Sequence, residues 1–156
     1  MKKVAYESVA HLIPEECWYK HEDYICDVIF FDGDQHWDKP LDLDEAYAID
    51  ETDDFHPFIL VNGNLKAGNI FNAETDGSTG LIVLGNLEAD NIVVGGQEIY
   101  VTGNLTVKDL FWGDYNHGGL LVKGSIQAKV FLNTDYGVEH ARFLEEDNIQ
   151  IAHLLW

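Results

Sequence analysis

The chain has 156 residues, 46% hydrophobic and 12% aromatic, with 28 acidic against 9 basic side chains and a formal net charge of −19. That length suits one domain with a single core, and the apolar content excludes global disorder. A surface so acidic repels nucleic acid and anionic lipid, and no apolar run approaches the roughly 18 residues that span a membrane.

In chain order, residues 3–20 mix helix formers with Pro14, which predicts a short helix broken near Ile13. Ser8, His11 and Glu15 interrupt the stretch behind the N-terminal lysines, so no secretory leader is expected and the expected compartment is the cytoplasm. Cys17 and Cys26, the only thiols, are expected to be reduced there. His11, Cys17 and His21 match no usual zinc spacing. Residues 25–31 (ICDVIFF) read as a buried strand and Leu41 with Leu43 as another, together an imperfect first rung. Between them, Asp32, Asp34 and Asp38 alternate around a glycine like part of a calcium loop. The later glutamate of such a loop is missing, so the run reads as a solvated acidic turn and no metal is expected. Residues 1–57 hold 16 acids and 4 lysines and form an acidic N-terminal cap.

Residues 58–138 are organised by four glycines, Gly63, Gly85, Gly103 and Gly124, which are 22, 18 and 21 residues apart. Their flanks superimpose as IxVxGNLxAGNI, LxVxGNLxADNI, IxVxGNLxVKDL and LxVxGSIxAKVF. Val61, Val83, Val101 and Val122 stand two residues before each glycine, and Ile70, Ile92, Leu110 and Phe131 seven after. Period-two alternation marks strands with one buried face, and matching columns mark stacked coils. Asn64, Asn86, Asn104 and Ser125, which follow the glycines, are expected to form a structural ladder at a turn. The spacing is not hexapeptide, and the short Gly-, Asn- and Asp-rich connections leave no room for a helical return. The fold class is therefore all-β: a right-handed parallel β-helix of about four rungs, forming one domain with an irregular N-terminal cap. The tail, 139–156, with Phe143, Leu144, Ile149, Ile151, Leu154, Leu155 and Trp156, is expected to cap the opposite end as helix or strand.

The GNLxAxNI rungs, over residues 59–132, resemble bactofilins, the polymer-forming cytoskeletal β-helix proteins of bacteria. The resemblance implies a structural scaffold and carries no catalytic residue. Because long segments flank the rungs, a monomer or small closed oligomer is expected in place of a filament.

Connections of varying length leave the coil at one corner: 72–80, 94–98, 112–119 and 133–140. Trp112, Asp114, Tyr115, Asn116 and His117 form the richest set, suited to recognising a protein surface or a sugar. The outward strand positions Lys66, Glu88, Thr106 and Gln127 show no acidic cluster of the kind polysaccharide cleavage needs, and nucleophile motifs are absent. No catalytic residue and no cofactor is expected. The favoured reading is a non-enzymatic interaction protein of the bacterial immunity or inhibitor kind, binding a basic protein. Its contacts are expected in the loop around Trp112 and the acidic run Asp27–Asp54, including Asp32, Asp34 and Asp38. A bactofilin-like scaffold and a carbohydrate-binding β-helix are the alternatives.

Overall fold

The computed structural model describes residues 1–20, 27–44, 57–73, 79–145 and 147–156. Two seven-stranded sheets stack into a β-solenoid of about four turns. The first sheet holds β1 (Lys2–Ala5), β2 (Asp27–Asp32), β5 (Phe58–Asn62), β7 (Gly80–Val83), β9 (Glu98–Val101), β11 (Gly119–Val122) and β13 (Gly137–Val138), in that order. The second holds β3 (Gln35–Trp37), β4 (Leu41–Asp42), β6 (Leu65–Phe71), β8 (Leu87–Val94), β10 (Leu105–Gly113), β12 (Ile126–Asn133) and β14 (Ile149–Leu155). Neighbours pair in parallel, except that β1 runs antiparallel to β2.

Each rung runs along a strand of the first sheet, turns at the glycine–asparagine corner, and continues along a strand of the second. Phe31, Val61, Val83, Val101 and Val122 lie in register in one buried inward column. β2, β3 and β4 form the expected first rung, with Leu41 and Leu43 buried. Residues 25 and 26 lie outside the described residues.

The corner glycines are required by close approach. An added Cβ at Gly85 would sit 2.6 Å from the Gly63 carbonyl oxygen and 2.8 Å from Oδ1 of Asn64. The rungs are drawn together there by the expected ladder. The Oδ1 atoms of Asn64, Asn86 and Asn104 each accept the backbone N–H of the next ladder residue, at 2.8 Å in every case.

Two expectations are corrected. Counting seven residues from each glycine places Leu110 in the core column, whereas Phe111 occupies it. β10 carries one extra residue between Val107 and Leu110, so Phe111 aligns with Ile92 and Phe131 while Leu110 turns outward. Such a bulge lets the larger ring fill the interior, where it stacks on Phe131 at a centroid distance of 4.5 Å.

The second correction concerns residues 1–20, which do not plug an end of the coil. After β1 they form the short helix α1 (Tyr6–Val9) and two 3-10 turns, Ala10–Leu12 and Trp18–Lys20, with the helical run broken at the extended Ile13. This strap lies along the outer face of the first sheet, where Tyr6, Val9, Ile13, Cys17 and Tyr19 bury Phe58, Leu60, Ile82 and Tyr100. The tail closes the interior at the opposite end and leaves β14 as the last described strand of the second sheet there. In α2 (His140–Glu145), Phe143 packs against Phe131 and Trp156, and Arg142 donates to the carbonyls of Val122 and Gly124.

Candidate protein-interaction surface

The five long strands of the second sheet, β6, β8, β10, β12 and β14, each bend once. In β8, Leu87 and Ala89 point inward, Asp90 and Asn91 face out, and Ile92 points inward again. Beyond the bend, the outward positions fall in register down five strands: Phe71, Val93, Trp112, Leu132 and Leu155. A parallel row holds Asn69, Asn91, Leu110, Val130 and His153. At a strand spacing near 4.8 Å, the apolar row is roughly 19 Å long. Its members are half-buried, apart from Leu155, which is 51% exposed, and none belongs to either core cluster. Carboxylates border the row: Asp42 aligns with Phe71, Asp114 follows β10, and Asp109 lies beside the bulge.

Trp112, at the middle of this row, stands on β10 and not in the loop. Its Nε1–H donates to Thr134 Oγ1 at 3.2 Å, and that hydroxyl donates to Asp114 Oδ1 at 2.5 Å. The loop beyond is held in a defined shape. Tyr115 has a left-handed φ of 74°, its ring meets that of His117 at 4.7 Å, and Asn116 and His117 are exposed. Beneath it Tyr136 is buried, its hydroxyl donating to the Gln97 carbonyl at 2.6 Å. The other described connections meet at this same corner, as expected; residues 74–78 lie outside the described set.

Asp32, Asp34 and Asp38 are not brought to this surface. They belong to the first rung: Asp32 and Asp34 stand at the opposite corner, and Asp38 follows β3 at the bend, on the concave outer face of the second sheet. Asp34 heads the asparagine ladder: its Oδ1 accepts the Asn64 backbone N–H at 2.8 Å and Nδ2 at 3.0 Å, and these bonds hold its carboxyl below the usual range. Asp32 accepts from Asn62 Nδ2 at 3.0 Å, and Asp38 lies 3.5 Å from His36. Among the described residues, no three His, Cys, Asp or Glu side chains converge to hold a metal ion. Residues 45–54 of the acidic run, and His21, lie outside the described residues.

Two further features escaped the reading of the sequence. At the bend, the concave outer face of the second sheet forms a groove of about 1030 Å³, along which Lys66 pairs with Glu88, and Lys108 with Asp90 at 3.4 Å. Its charges are balanced between rungs. Under the strap, Glu98 is buried and its Oε2 accepts the Cys17 thiol and the Trp18 backbone N–H, both at 3.0 Å. Burial pushes both the carboxyl and the thiol upward, so the free Cys17 is a fastening and a poor nucleophile.

No protein-family model matches the chain, and neither the curated proteins nor the solved structures contain a significant match. No helix among the described residues is long and apolar enough to cross a membrane.

Proposed function

We propose that the protein is a non-enzymatic interaction module that grips a basic protein partner through the apolar row centred on Trp112. The observation that carries this reading is the row itself: five outward apolar side chains in register on a rigid sheet. An apolar centre with a polar rim is the usual anatomy of a protein interface, and an aromatic residue near the middle is its commonest anchor. The net charge of −19 steers a cationic partner to this surface. In its most concrete form the module is a bacterial immunity or inhibitor protein that covers the substrate site of a cationic toxin.

The test is capture of a partner on the immobilised protein, followed by kinetics. The expected partner is basic, and its association rate falls steeply between low and moderate salt, because a Debye length of about 8 Å screens the steering charges. Trp112→Ala is expected to raise the dissociation rate, by about tenfold or more, with little change in association. An acidic partner, or kinetics indifferent to both salt and Trp112, would refute the reading.

A polymer-forming scaffold of the bactofilin kind is the second reading, and it draws on the outer edge of β14, with which no described strand pairs. Against it stands the other end of the coil, where β3 and β4 are only 3 and 2 residues long. Long filaments in electron micrographs of the purified protein would promote it.

A further inference from the structure

Among the described residues, the four outermost strand edges of the two sheets are not alike. The first sheet begins with β1, 4 residues long and carrying Lys2 and Lys3, and ends with β13, 2 residues long and followed by α2. The second begins with the short β3 and β4. Short strands and edge lysines are the means by which proteins keep sheet edges from pairing with other chains. β14 uses none of them. It runs for 7 residues, IQIAHLL, without proline, glycine, lysine or a carboxylate, in a chain that is 24% charged. It pairs with β12 in unbroken register, and among the described residues no strand takes its outer side.

The direction of its free backbone groups follows from the ladder. The Ile126 N–H donates to the Asn148 carbonyl at 3.1 Å. Alternate residues of a parallel strand turn their backbone groups the same way, so Asn148 and Gln150 face β12 while Ile149 and Ile151 turn theirs outward.

We propose that β14 is a docking edge for an extended, basic segment of a partner protein, which joins the second sheet as an added strand. A second copy of this chain is disfavoured as occupant, because each copy brings a net charge of −19. The exposed Asp147, two residues before the strand, favours a cationic guest. The inference rests on the reading of the Trp112 row and deepens it: Leu155 ends that row on β14, so an added strand continues the apolar row with its own side chain.

Amide hydrogen exchange on the full chain tests this, with a short acetylated peptide alternating lysine and valine as probe. At tenfold excess over its Kd the peptide should slow exchange at Ile149 and Ile151 by about tenfold, and leave the already bonded Gln150 unchanged. A peptide N-methylated at alternate residues, or one with glutamate in place of lysine, should not do so. Unchanged Ile149 and Ile151 amides overturn the proposal; if Trp112 fluorescence still responds to the peptide, the Trp112 reading survives alone. Equal protection by the glutamate peptide also overturns it. So does protection that rises with protein concentration when no peptide is present, since a second copy would then hold the edge.

Discussion

The bulge in β10 makes a prediction that counting residues from the glycines would reverse. Phe111 is fully buried, stacked on Phe131 and 6.3 Å from the ring of Tyr136, whereas Leu110 is half-buried on the outer face. Truncating a buried phenylalanine to alanine costs about 3–5 kcal/mol in lost transfer energy and cavity, and a stacked ring pair adds to the upper part of that range. Phe111→Ala should therefore cost about 4 kcal/mol, a large share of the 5–15 kcal/mol typical of a domain. Leu110→Ala removes partly exposed surface and should cost about 1 kcal/mol. With a urea m-value of about 2 kcal/mol/M, the midpoints should fall by roughly 2 M and 0.5 M. The assay is urea unfolding followed in parallel by circular dichroism and tryptophan fluorescence. Equal losses, or a greater loss for Leu110→Ala, would mean that Leu110 lines the interior and the register beyond Val107 is wrong.

Glu98 ties pH to stability. Its folded pKa is raised by burial, so its contribution is fully present below the unfolded carboxylate value and is lost as pH rises through the folded value. Glu98→Gln keeps an acceptor for Cys17 and Trp18 and never ionises, so its stability relative to the parent should rise as pH climbs from the ordinary carboxylate range through the raised folded value; thermal melts showing a pH-independent difference would contradict this. Asn86→Ala removes the acceptor of the Asn104 N–H at an exposed corner and should cost about 0.5–1.5 kcal/mol in urea melts, with an unchanged midpoint showing the ladder to be ornamental.

The solenoid was legible because stacking demands the same residue in the same column, and the valines and asparagines supply it. The bulge was not, because spacing counts residues along the chain while the core selects by volume, and a phenylalanine one position late fills the column better than leucine. The strap left a signal that the motif IxVxG concealed. Its middle positions are Leu60, Ile82, Tyr100 and Leu121, apolar in every rung, so both faces of the first sheet had to be covered. Residues 1–20 cover the outer one. The same signal recurs past the bend, in the runs Ile92–Val93–Val94, Leu110–Phe111–Trp112 and Val130–Phe131–Leu132, where the outward residues are again apolar. There the described chain supplies no cover: Val93, Trp112 and Leu132 belong to neither core cluster. The two faces share one pattern: residues 1–20 sheathe the first, and no described segment sheathes the second. Solubility alone would select polar residues along that row, as it does at Lys66, Glu88, Thr106 and Gln127 on the same strands. The contrast within single strands favours the proposed binding surface beyond the bend, around Trp112; Asp32 and Asp34 lie at the other corner, each with one carboxylate oxygen held by an asparagine of the next rung.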